Sequence, residues 1–285
     1  MRAAPIYTNP IDFSRFMAGQ LENSMQAKLV QSIEDPLRLE VTFHGHAPEE
    51  EKAVLHLHNV YDTYRKTGDL NAAIDFLNNM TEAMRYTKQI DPKRPTFNPD
   101  HIYPVLRPSR DIRRFKKDGY NIITYAEVPG METVILERNV GFSTLINEEM
   151  LNANKQWDKQ SLKRRAYQNM RSSGWKQPNL QLQHPFAEDC EVLVYLDPPV
   201  PVQCQLLLPD MTFGRLPEQF IAAFPNKETT LIMKCRERLD SMATVKRIVR
   251  DSQLRDVVDR SYRFMPYPLT RDLYWISNGR PLRIS

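Results

Sequence analysis

Ile122-Ile123-Thr124-Tyr125-Ala126-Glu127-Val128, then Pro129-Gly130, then Thr133-Val134-Ile135-Leu136 is the stretch that decides the fold. Two runs rich in β-branched and aromatic residues flank a Pro-Gly pair. Proline presets φ near −65° and glycine accepts φ above zero, which is what a tight reversal needs, so the stretch predicts an antiparallel hairpin. Just upstream, Ile102-Tyr103-Pro104-Val105-Leu106-Arg107 is a short apolar run that Pro104 confines to a sheet edge or a strand start, because proline cannot donate to a ladder. Downstream, after Gly141, a helix is predicted from about Asn147 to Met150, continuing with or without a break into Asp158–Arg171. His101–Met170 therefore reads as a complete folding unit. It holds no paired His and Cys, no glycine-rich phosphate loop and no Ser beside a base.

Working outward toward the N-terminus, Phe13, Phe16, Met17, Leu21 and Met25 recur at helical steps behind a proline-punctuated arm (Pro5, Pro10). Leu37–Phe43 alternates apolar and polar, as a half-buried strand does. A helix is predicted from about Pro48 to Tyr64, with Glu49, Glu50 and Glu51 at its positive end. Gly68 ends it, and Asp69 caps a second helix carrying Leu70, Ile74, Phe76, Leu77, Met80 and Met84. Asp91–Pro99, with three prolines among polar residues, reads as a linker.

Toward the C-terminus, Gly174–Pro185 reads as a loop and Cys190–Leu196 as a strand. Residues 197–217 hold five prolines and read as irregular or edge-like. Thr229–Met233 is a short strand, and one long amphipathic helix is predicted from about Ser241 to Phe264. Leu273–Ile276 and Leu282–Ile284 around Ser277-Asn278-Gly279 form a second hairpin, Asn-Gly being the strongest short-range hairpin signal. The class is α+β, with antiparallel or mixed sheet, hairpins and packed helices. The expected division is an arm and helix at 1–36, a small strand-plus-helices unit at 37–90, a linker at 91–100 and a main domain at 101–285.

Composition bounds the rest. A chain of 285 residues buries a normal core. The net charge of +4, with a pI near 8.9, tolerates an acidic partner or RNA without demanding one. Nine glycines are few, which weighs lightly against a nucleotide site. Cys190, Cys204 and Cys235, odd in number and widely spaced, argue against a disulfide framework or zinc knuckle and for a reducing interior. No window approaches 18 consecutive apolar residues, so no membrane span is expected. The reading favours the cytoplasm, with an organelle matrix as the alternative.

Several blocks together are similar to one family. Leu39–Phe43, Leu57-His58-Asn59-Val60-Tyr61-Asp62-Thr63-Tyr64-Arg65, Ile102–Arg107, Phe142–Met150, Leu162–Asn169, Ala223–Glu228 and Asn278-Gly279-Arg280-Pro281-Leu282 follow one another in the order found in the bacterial YtpQ-like family of unknown function. The resemblance covers roughly residues 37–283. It departs at 180–217 and at Glu228, where that family usually carries Asp. It implies an α+β fold and an intracellular setting, and no reaction or catalytic residue.

No constellation marks a reacting centre. His44 and His46 share a strand face if extended, although Gly45 favours a turn. His56 and His58, on the predicted helix, diverge by about 200° and cannot share a metal. Glu148 and Glu149 also diverge. Asp256 and Asp259 sit among Arg255, Arg260 and Arg263, as on a solvated helix. Ser143 and Ser173 lack a base, and Cys235 reads as a structural thiol at a strand end. No catalytic residue, metal ligand or cofactor is assigned.

Two basic segments remain. Lys155, Lys159, Lys163, Arg164, Arg165, Arg171 and Lys176 stand against one acid, Asp158, interleaved with Trp157, Tyr167 and Trp175, of which Trp175 is the freer aromatic. Arg107, Arg110, Arg113, Arg114, Lys116 and Lys117 form the second cluster. Cations for phosphates with aromatics for stacking suit RNA, and the argument strengthens if the fold places the clusters together. A solvated cationic face and an acidic protein partner are the other readings. The expected function is a non-enzymatic interaction or assembly protein. An RNA or ribonucleoprotein binder and an enzyme with an unadvertised site are the alternatives. The arm at 1–12 and the stretch 197–217 are the parts least explained by the fold, and both could dock extended onto a partner.

Overall fold

A computed structural model describes residues 6–25, 27–43, 52–89, 97–139, 143–183, 189–196, 202–265 and 267–284. The described residues up to 89 form one compact unit and those from 97 onward a second. The linker at Asp91–Pro99 falls mostly outside the described residues, as do His44, His46 and Pro48–Glu51. Every pairing between the named strands is antiparallel, and helices pack on the sheets, so the fold is α+β.

The first unit runs α1 (Pro10–Met25), β1 (Ala27–Gln31), β2 (Arg38–Phe43), β3 (Lys52–His56), α2 (His58–Thr67) and α3 (Leu70–Gln89), with sheet order β1-β2-β3. The Asn9 side chain accepts the Asp12 amide at 2.9 Å and so opens α1. Phe13, Met17 and Leu21, spaced four apart, are buried with Leu39, Val41, Leu55, Tyr61 and Tyr64. The stripe read on this helix is therefore buried in one core with the strands that follow it. Tyr61 Oη donates to the Thr8 carbonyl at 2.8 Å, the Tyr64 hydroxyl accepts the Tyr7 amide at 2.9 Å, and Tyr7 stacks on Phe16. Residues 7–9 are pinned down and are not a free docking arm. The helix expected over Pro48–Tyr64 is corrected as well. Residues 52–56 pair with β2, and helix begins only at His58. It ends at Gly68 in the left-handed region, after which Asp69 Oδ1 accepts the amides of Asn71 and Ala72.

The second unit contains β4 (Ile102–Pro108), α4 (Ser109–Lys117), β5 (Thr124–Val128), β6 (Met131–Arg138), β7 (Ser143–Leu145), α5 (Glu148–Ala153), α6 (Lys159–Ser172), β8 (Leu180–Gln183), β9 (Cys190–Leu196), α7 (Val202–Gln205), α8 (Pro209–Thr212), β10 (Gln219–Asn226), β11 (Thr229–Cys235), α9 (Met242–Asp251), α10 (Leu254–Phe264), β12 (Leu273–Ser277) and β13 (Arg280–Ile284). The expected hairpin is β5–β6, with Gly130 at φ +80°. β4 lies at the edge, as its proline requires, and β7 also pairs with β6. The other sheet has order β13-β12-β10-β11-β9-β8 and closes on the Asn278-Gly279 turn.

Side chains of β10 alternate between two cores. Phe220, Ala222 and Phe224 meet Leu106, Met131, Tyr167 and the α7–α8 segment, while Ile221 and Ala223 meet α9 and α10. A strand buried on both faces shows an unbroken apolar run, so period-two alternation does not reveal it. Three further expectations change here. The helix over 241–264 breaks at Ser252-Gln253, where Gln253 has φ +53°, into α9 and α10. Residues 202–216 are short helical turns with Val202, Cys204, Leu206, Met211 and Leu216 buried, so this part of 197–217 is core and not an extended docking strand. Cys190 and Cys235 face each other across β9 and β11, 4.2 Å apart at Cα, and form a disulfide, contrary to the spacing argument. Only Cys204 is a free thiol.

Candidate functional site

The two basic segments occupy opposite faces of the β4-β6-β5 sheet. Ile102, Leu106, Met131 and Ile135 point to α6, against Leu162, Ala166, Tyr167 and Met170. Val105, Val134 and Leu136 point the other way, against Ile112 of α4. Successive strand residues alternate faces, so helices held by odd and by even positions of one strand cannot share a surface. The two clusters therefore lie mainly on different faces and approach each other near Glu148, which Lys159 bonds and Lys116 acts on at longer range.

They also differ in how far their charge is compensated. Asp158 caps α6 reciprocally with Ser161, and the helix then uses its cations at home. Lys159 meets Glu148 at 2.6 Å, Lys163 meets Glu127 at 2.7 Å, Arg171 meets Asp210 at 2.7 Å, and Arg165 meets Asp100. The bonds from Lys159 and Arg171 hold the Glu148 and Asp210 carboxyls below their usual range. Lys155, Arg164 and Lys176 make no ion pair among the described residues, although Arg164 acts on Asp158 at longer range. Trp175 is not the free aromatic expected of it: it packs edge-on against Tyr195, while Trp157 packs on Phe97.

On α4 the balance is different. Arg110 Nε lies 3.5 Å from Asp111 Oδ1, and Arg113, Arg114, Lys116 and Lys117 have no ion-pair partner among the described residues. The latter three, in or near the last turn, are favoured there by the helix dipole. Arg107 is set apart from them. It sits partly buried in β4 opposite Glu132, and burial lowers its pKa.

At the start of α4 opens a cleft of about 440 Å³ lined by Pro108, Ser109, Arg110, Arg113, Gly130, Tyr262, Leu269, Thr270 and Arg271. Tyr262 comes from α10. Its ring lines the cleft beside Arg110, and the Arg271 guanidinium carbon lies 4.7 Å from its ring centre. The sequence shows Arg110 and Arg113, but Tyr262 and Arg271 come from about 150 residues away, and no local signal links them.

The groups whose acidity burial shifts most lie elsewhere. Cys204 is buried, with its thiol pushed well up. Tyr167, whose hydroxyl donates to Glu127, is also raised by burial. Both shifts hold the neutral, unreactive form. Among the described residues no three His, Cys, Asp or Glu side chains gather as for a metal. His56 ends β3 and His58 opens α2, so they do not share a helix. Their rings are 5.9 Å apart, and His58 Nε2 meets Asp35 at 3.0 Å.

No family model matches the chain, and no curated protein or solved structure matches it.

Proposed function

We propose that this chain is a non-enzymatic interaction or assembly protein that docks an acidic protein partner on helix α4. One observation carries the reading: Arg113, Arg114, Lys116 and Lys117 of α4 make no direct ion pair among the described residues, Lys116 acting on Glu148 only at longer range, whereas α6 pairs four of its cations directly. Uncompensated charge on one face steers association and is the part of a surface that a complementary partner completes. The burial that keeps Cys204 and Tyr167 protonated supports the non-enzymatic side.

The rival is RNA. It has the same cations in its favour, but Trp157 and Trp175 are packed against other rings, and the two basic segments face apart. The test is affinity purification from nuclease-treated extract, with wild type beside the triple variant Arg114→Glu, Lys116→Glu, Lys117→Glu, followed by mass identification. Protein partners that survive nuclease and are lost from the variant are expected. Recovery of the wild-type chain alone would refute docking. Loss of the partners on nuclease treatment would move the reading to RNA, and RNA affinity should then fall with salt on a log–log slope of roughly −2 for three phosphate contacts.

A further inference from the structure

We infer that the cleft at the start of α4 binds a phosphate monoester, in the first instance a phosphorylated side chain of the acidic partner. In that form the inference rests on the docking reading. Three guanidiniums line the cleft, Arg110 and Arg113 from α4 and Arg271 from the segment before β12, and no carboxylate is among its lining residues. Among the described residues four acids stand close by, one of them Asp272, whose Oδ2 would lie 3.7 Å from a Cβ at Gly130 and which is bonded to Arg283. Asp111 is 3.5 Å from Arg110, Asp259 is 4.0 Å from Arg271, and Glu132 accepts weakly from Ser109 Oγ at 3.4 Å.

Tyr262 lines the cleft between α4 and the Arg271 segment and carries the Arg271 guanidinium over its ring, so like charges from the two segments face one cleft before any ligand arrives. The side chains of Arg110 and Arg271 remain about half exposed, so their outward N–H groups are open to solvent. A carboxylate satisfies one guanidinium fork. A phosphate monoester offers three oxygens and a charge near −2, and can take forks from several arginines at once. The Ser109 and Thr270 hydroxyls and the Gly130 turn complete a wall of small polar groups. Phosphate is thus the ligand chemistry that uses all three arginines.

The test is calorimetric titration of the full chain with three probes: inorganic phosphate, a nine-residue peptide with a central phosphoserine among four glutamates, and the same peptide unphosphorylated. The phosphopeptide is expected to bind at least about tenfold tighter than its unphosphorylated form, as charge-assisted hydrogen bonds imply. Arg271→Ala and Arg110→Ala should each erase that ratio. Arg113→Ala, an exposed side chain without an ion-pair partner among the described residues, should reduce it with no risk to folding. The variant Arg114→Ala, Lys116→Ala, Lys117→Ala should weaken both peptides equally and leave the ratio intact.

Equal binding of both peptides by wild type, with no phosphate binding sensitive to Arg113→Ala, overturns the cleft proposal and leaves the docking face standing. Binding of inorganic phosphate that is sensitive to all three arginines, with neither peptide bound, supports the cleft as a site for a free phosphate ligand and counts against docking.

Discussion

Gly279 and Gly174 make a matched pair that tests whether residues 202–216 are truly core. Both glycines have φ +72°, so Gly→Ala meets the same left-handed backbone strain at each, about 1–2 kcal/mol. They differ in what a Cβ would touch. At Gly174 nothing lies within 4 Å. At Gly279 the Leu207 carbonyl oxygen and the Pro209 Cγ and Cδ would each lie 2.9 Å away. A backbone oxygen and a proline ring cannot swing aside, so Gly279→Ala should cost a further 1–3 kcal/mol or so, as overpacking does. The change in unfolded-chain entropy is common to both variants and cancels in the comparison. Trp157, Trp175 and Trp275 all lie in the second unit, so urea unfolding followed by tryptophan fluorescence reports on it, with circular dichroism as a second probe. At a slope of about 2 kcal/mol/M, Gly279→Ala should unfold roughly 0.5–1.5 M earlier than Gly174→Ala. Equal midpoints would refute the reasoning. They would mean that Leu207–Pro209 does not hold against the closing hairpin, and the proline-rich stretch would again be available to a partner.

Two further outcomes follow from the same unit. The Cys190–Cys235 bridge spans 45 residues of sequence, so its reduction should lower stability by about 4 kcal/mol on the chain-entropy account; a thiol count on the unreduced, denatured chain should give one, from Cys204, and a count of three would show that the bridge does not form. Burial pushes the phenols of Tyr125, Tyr195 and Tyr274 up to about 12. Because these folded pKa values lie above the unfolded value near 10, their contribution is fully present below pH 10 and is lost between about 10 and 12. Absorbance at alkaline pH should show these phenolates appearing together with loss of native circular dichroism, and Tyr274→Phe should flatten that fall. Ionisation of all twelve tyrosines near pH 10 in a chain that stays folded would contradict it.

Local patterns carried the elements that depend on neighbours in sequence. The Pro129-Gly130 and Asn278-Gly279 turns, Pro104 at a sheet edge, the cap at Asp69, and the stripe of Phe13, Met17 and Leu21 each needed only a few adjacent residues. The errors fell where two local codes compete. Ser252-Gln253 reads as helix because the apolar period runs through it, yet Gln253 turns left-handed. Lys52–His56 reads as helix, yet strand pairing with β2 overrides propensity.

For the site, Arg110 and Arg113 were visible as a cluster, but a cluster does not say whether its charge is already compensated. That depended on Glu148, Glu127, Asp100 and Asp210 arriving beside α6 from four other parts of the chain. By itself the sequence determined the α+β class and most of the turns, because each rests on contacts within a few residues. Only the tertiary structure decided that the two basic helices face apart, that Cys190 lies opposite Cys235, and that Arg271 and Tyr262 join the start of α4. Those outcomes depend on which strand lies beside which, and strand order is set by burial of the whole core rather than by any segment alone.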